Sequence, residues 1–124
     1  MAFNADYKKA LIISNSDYFL QGYCQLSGAK KDCEAMSVFL TSCGFEVTSI
    51  DDCDKEEYTK NIQDYLNVAK TLAKQNKKCL FFIYYSGHGA LKDGMVYGLP
   101  CQGEGSDQWL PLDENTRKLA IYAN

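Results

Sequence analysis

One histidine, two prolines and no apolar run longer than a strand: what this 124-residue chain has little of already excludes several classes of protein. Its longest strongly apolar stretch, Cys79 to Tyr85, falls far short of the ~20 residues that span a bilayer, so no membrane partner is expected. Asp6, Lys8 and Lys9 stand among the first ten residues with no apolar segment behind them, so no signal peptide is read. Thirteen basic against sixteen acidic side chains give a formal charge of −3, which removes the basic face of a nucleic-acid module. The six cysteines (24, 33, 43, 53, 79 and 101) are too sparse for a stapled secreted scaffold. No pair has the Cys-x-x-Cys spacing of a zinc or thioredoxin-like site. Without an export signal they read as reduced thiols in a cytosol-like compartment, most of them packing residues. There is no repeat and no low-complexity segment. With 46% hydrophobic and 23% charged residues, what remains is an ordinary globular composition and a single domain over 1–124.

Periodicity then orders the chain. Ala10 to Ile13 is an uninterrupted apolar run, the pattern of a strand buried on both faces. A polar loop, Ser14 to Gly28, leads to a helix-spaced set, Ala29, Cys33, Met36, Phe39 and Leu40, that stops near Gly44. Phe45 to Ile50 alternates as a second strand. Asp54 with Glu57 three residues on predicts a capping-box-like start to a helix whose apolar face is Tyr58, Ile62, Tyr65, Leu66, Ala69, Leu72 and Ala73. Cys79 to Tyr85 reads as a third strand, again apolar on both faces. Met95 to Leu99 reads as a shorter fourth and Leu112 to Ala120 as a last helix. Strands alternating with helices predict an α/β architecture: three layers around a mainly parallel sheet.

In such sheets ligands sit at the carboxyl ends of strands, which directs attention to Ser86-Gly87-His88-Gly89 after the third strand. An imidazole titrates near neutrality and suits proton transfer, and the flanking glycines free the backbone. A histidine that simply lies in a glycine turn is the structural alternative. The dinucleotide fingerprint fails, because position 92 is Lys where a third glycine belongs, and no Walker lysine follows.

The string Tyr84-Tyr85-Ser86-Gly87-His88-Gly89 resembles the histidine motif of the caspase-like cysteine peptidases, most of all the metacaspase and paracaspase branches. Ala10 to Tyr18, with Asn15 at its centre, is similar to that family's first strand and loop. Leu26 to Asp32 is similar to the lead into its first helix, Gly44 to Val47 to its second strand, and Gly94 to Gly98 to the short hairpin after the histidine. Leu112 falls where the next helix is expected. These stretches stay in register from Ala10 to Leu112.

The resemblance implies a cysteine endopeptidase in which His88 is base and then acid, and the Gly89 N–H donates to the oxyanion. It implies that Asp32 binds a substrate Arg or Lys, giving cleavage after basic residues of a peptide or protein. The alternative for Asp32 is a favourable charge in the first turn of a helix. Leu26 stands where caspases use a basic residue for an aspartate substrate, so an aspartate pocket is not expected. No cofactor is expected. Some metacaspases need calcium, but Asp51-Asp52-Cys53-Asp54 lacks the loop pattern of a calcium hand and reads better as a helix N-terminus.

In caspases the nucleophile lies about 50 residues after the histidine, which points to about position 138, beyond Asn124. The domain is therefore expected to be incomplete at its C-terminal end, stopping before the strand that bears the cysteine. Cys24 is the weak substitute candidate, from the loop after the first strand. Three readings follow: the histidine-bearing portion of a peptidase, a non-catalytic caspase-like module, or a small flavodoxin-like binding domain. Under the first, the chain alone is inactive. Under the first two, a complementary chain or C-terminal portion pairs with the exposed edge that the fourth strand would leave.

Overall fold

The computed structural model describes residues 5–18, 23–103 and 105–122. Residues 19–22, within the predicted loop from Ser14 to Gly28, lie outside that description. Eight elements form the frame. They are β1 (Tyr7–Ser14), α1 (Ala29–Ser42), β2 (Glu46–Asp51), α2 (Lys55–Lys74), β3 (Cys79–Ser86), β4 (Gly89–Lys92), β5 (Met95–Gly98) and α3 (Leu112–Ala120). β1 is central in a parallel sheet of order β2-β1-β3, while β4 and β5 form a separate antiparallel hairpin.

The apolar run of β1 produces the three layers directly. Its odd residues Leu11 and Ile13 face a core with Tyr58, Ile62, Tyr65 and Ala69 of α2 and Leu119 of α3. Its even residues Ala10 and Ile12 face Cys33 and Leu40 of α1 together with Phe45. A strand buried on both faces needs apolar side chains at every position, and residues 10 to 13 are 0–1% exposed. Tyr65 adds a buried hydrogen bond, its hydroxyl donating to the Ala10 carbonyl at 2.6 Å.

The helix ends follow their sequence signals. Asp54 accepts the Glu57 N–H at 2.9 Å and opens α2 as predicted. α1 closes on Gly44 at φ +88°, with Gly44 N–H bound to Thr41 and Phe45 N–H bound to Leu40. That double bond pattern needs a left-handed residue, which only glycine adopts without strain, and Leu40 and Phe45 pack together beside it.

Three expectations need correction. Met95–Gly98 is not a fourth strand of the main sheet. It folds back on Gly89–Lys92 through Asp93 and Gly94, both at positive φ, the two-residue turn that Asp-Gly favours. The free edges among the described residues are therefore β2 and β3, and β3 is the one that leads to His88. β3, apolar on both faces and so expected to be buried on both, is correspondingly only half-buried, because only β1 flanks it. Phe39 is 57% exposed, one position round α1 from the buried Leu40. No helix of the described residues is long and apolar enough to cross a membrane.

Burial predicts where truncation hurts. Leu11→Ala, at a fully buried position, is expected to cost about 2–5 kcal/mol in urea unfolding. Val38→Ala, at a position 72% exposed, should stay within about 0.5 kcal/mol. Equal costs would mean that the face of α1 bearing Val38 is covered.

Candidate active site

The winding of the sheet reverses at β1: α1 leads to β2 on one side, and α2 leads back past β1 to β3 on the other. The loops leaving the carboxyl ends of β1 and β3 diverge there, which opens the crevice where α/β sheets take ligands. Residues 15–18 and 87–88 enter it from the two strands.

Asn15 closes the floor. It is fully buried, its N–H donates to Ser86 O at 2.8 Å, its Nδ2 to Leu99 O at 3.2 Å, and its Oδ1 accepts the Cys53 N–H at 3.0 Å. One amide thus joins the segments following β1, β2 and β5.

His88 stands above this floor. Its ring lies 4.6 Å from the Tyr18 ring, edge to face, and 5.5 Å from that of Tyr23. Its Nε2 is 2.7 Å from the Cys24 carbonyl. A carbonyl only accepts, so in this bond Nε2 is the donor, and in the neutral ring the lone pair is then on Nδ1. One ring nitrogen is thereby anchored, and the other makes no hydrogen bond among the described residues.

The two glycines beside it differ. A Cβ at Gly87 would stand 2.5 Å from the Tyr85 hydroxyl oxygen and 2.6 Å from that of Tyr18, so glycine is required by the protein's own packing. A Cβ at Gly89 would meet nothing closer than 3.5 Å, the Tyr97 carbonyl, an ordinary contact. Register decides the Gly89 N–H. The Leu99 N–H donates to His88 O across the base of the hairpin, so Gly89, paired with Gly98, occupies a position whose N–H the ladder does not use. It can donate to a ligand.

Asp32 lies exposed in the first turn of α1, and its carboxylate makes no hydrogen bond or ion pair among the described residues. The start of α1 is held near the end of β1 by the Cys33 thiol, 3.7 Å from Ile13 O. Asp32 therefore belongs to the same end of the sheet as His88, without touching it.

No buried cysteine qualifies as a nucleophile. Cys33, Cys53, Cys79 and Cys101 are buried, and desolvation pushes all four thiols up, Cys53 and Cys101 to about 12. Such thiols remain protonated and weakly reactive. Cys24 is exposed, and what it gives His88 is its main-chain carbonyl.

The acidic cluster after β2 does not fit calcium. Asp54 holds the helix start, and Asp52 Oδ1 accepts the N–H groups of Ser16 at 3.0 Å and Asp17 at 3.1 Å. These carboxylates bind backbone. Burial alone would raise the Asp52 carboxyl, but those N–H donors outweigh it and hold the group below its usual range.

Beside β3, away from His88, runs a groove of about 230 Å³ lined by Cys79, Leu80, Phe81, Ile83, Leu119 and Ala120 among others.

Sequence reasoning missed Tyr18, Tyr85 and the Cys24 carbonyl as parts of this site. Tyr85 lay inside the motif string, but nothing in the sequence reports that two phenols meet. A main-chain carbonyl leaves no mark in sequence at all.

Residues 7–121 match the family model for the Caspase domain. No curated protein matches the chain.

Two outcomes test this geometry. Gly87→Ala should cost about 1–3 kcal/mol in chemical denaturation through overpacking, and Gly89→Ala under about 1 kcal/mol. Equal effects would mean that the phenols do not occupy the space at Gly87. For Asp52, a folded pKa below the unfolded value of about 3.9 contributes stability above that pH, lost as pH falls through the folded value. Asp52→Asn should therefore flatten the acid limb of the stability curve; an unchanged limb would show that Asp52 is not the group responsible.

Proposed function

The chain belongs to the caspase-domain family, and on that premise we propose that it supplies the histidine half of a cysteine endopeptidase centre. The observation that carries this reading is the 2.7 Å contact of His88 Nε2 with the Cys24 carbonyl, which makes Nε2 the donor and leaves Nδ1 without a partner among the described residues. A cysteine thiol delivered there gives its proton to Nδ1, and the thiolate attacks the scissile carbonyl. The oxyanion accepts the N–H of Gly89, and the imidazolium returns its proton to the leaving amine. Water then hydrolyses the acyl-enzyme.

The nucleophile is proposed to lie on a strand paired along β3, from a complementary chain or a further C-terminal portion. The free edge of β3 and the apolar groove beside it support this. By itself the described chain should not hydrolyse peptides. Cleavage after Arg or Lys, the metacaspase and paracaspase habit, is supported by the exposed, unpaired carboxylate of Asp32, whose geometry suits a guanidinium fork. Buried, protonated thiols accord with a reducing, cytosol-like compartment. The same open edge favours one other reading, a caspase-like module that binds its partner without catalysis.

The test is peptide turnover by the chain assembled with the partner that completes its sheet. His88→Ala should lower kcat at least about 100-fold with an unchanged circular dichroism spectrum. A panel with Arg, Lys or Asp before the scissile bond should be cut after Arg and Lys, and Asp32→Asn should remove that preference. Full activity of His88→Ala would eliminate the proposed base, preferred cleavage after Asp would eliminate the basic-residue pocket, and no turnover in any assembly would favour the non-catalytic module.

A further inference from the structure

His88 is held by its main chain as firmly as by its ring. Its N–H donates to the Tyr18 hydroxyl at 3.1 Å, and its carbonyl accepts from the Tyr85 hydroxyl at 2.6 Å. Both hydroxyls also reach Leu99: Tyr18 donates to the Leu99 carbonyl at 2.8 Å, and Tyr85, at 3.1 Å, shares the Leu99 N–H with His88 O at 2.9 Å. The two phenolic oxygens are 3.2 Å apart.

A hydroxyl has one proton to give, so the pair can be accounted for completely. The shortest contacts assign the Tyr85 proton to His88 O and the Tyr18 proton to Leu99 O. Neither proton is left for the contact between the phenols. Desolvation raises both phenols, so both protons stay in place at any physiological pH.

The chain makes room for this arrangement at two glycines. Besides the clash at position 87, a Cβ at Gly98 would stand 2.8 Å from a ring carbon of Tyr85. Tyr18 is fully buried and places its ring edge against the imidazole. Its hydroxyl therefore fixes the peptide unit of His88 while its ring limits the side chain.

We infer that Tyr18 and Tyr85 are positioning residues for His88: their hydroxyls lock its main chain so that Nε2 meets the Cys24 carbonyl and Nδ1 is the basic nitrogen. The inference rests on His88 being the base of the proposed reaction, but its test needs no substrate. Neither hydroxyl bonds a ring nitrogen of His88.

His88 is the only histidine, so its ring signals are unambiguous in the nitrogen-15 NMR spectrum of the labelled chain. In the native chain the imidazole should be the Nε2–H tautomer and the His88 amide should be protected from exchange. In Tyr18→Phe the His88 amide should exchange about ten-fold faster or more, against little change at Ile12 and Ile13. In both Tyr18→Phe and Tyr85→Phe the ring signals should move towards a mixture of tautomers. In an active assembly the same variants should lower kcat with KM unchanged.

A purely structural role would instead raise exchange at His88 and β1 by the same factor and leave the tautomer alone; that result overturns the inference. Should a variant fail to fold, the native chain still decides, because an unprotected His88 amide or an Nδ1–H tautomer overturns it equally. Absence of turnover in every assembly would remove the peptidase reading and leave the NMR result standing.

Discussion

The carbonyl of Leu99 is the acceptor on which the candidate site converges. It is buried at the end of β5 and receives the Asn15 amide and the Tyr18 hydroxyl, while the Leu99 N–H reaches back to His88. A buried main-chain acceptor without donors is expensive, so these bonds are strongly determined once the segment is covered. They connect the segments after β1, β3 and β5 through the N–H and carbonyl of one residue. The position of His88 relative to the sheet follows from that connection more than from the glycines around it.

Polar groups in a partly desolvated crevice have few ways to be satisfied together. Asn15 uses both ends of its amide, Tyr18 and Tyr85 use their protons and lone pairs, and no buried side-chain nitrogen or oxygen among the described residues lacks a partner. Such networks specify one geometry because partial satisfaction costs more than none. The imidazole at the top of the network inherits that definition: its Nε2 is bound by a main-chain carbonyl, which makes that nitrogen the donor. Gly87 belongs to this network as an absence, the space that the two phenolic oxygens occupy.

The site and the edge are coupled by geometry. β3 ends two residues before His88 and presents one of the two unpaired edges of the sheet, so a strand docked parallel to β3 would have its carboxyl end on the side of the imidazole. The thiols inside the chain are packed away and protonated, which leaves the crevice free for a nucleophile from that strand.

Much of this was legible in the residues. The apolar run of Ala10 to Ile13 required burial on both faces, and so three layers. The spacing from Tyr58 to Leu72 required the buried face of α2, and Asp54 its start. Ser86-Gly87-His88-Gly89 after a strand located the candidate base. All of these are local patterns, and local patterns report how a segment meets its surroundings. They did not report that Cys79 to Tyr85 lies at an edge, since an apolar run reads alike whether its neighbouring strand is present or not. They did not separate the hairpin from the sheet, although Asp93-Gly94 marked the turn. Nor did they show that Tyr18, Tyr85, Leu99 and the Cys24 carbonyl surround His88. Those residues are distant in sequence, and hydrogen bonds between them exist only after the reversal of winding at β1 has brought the strand ends together.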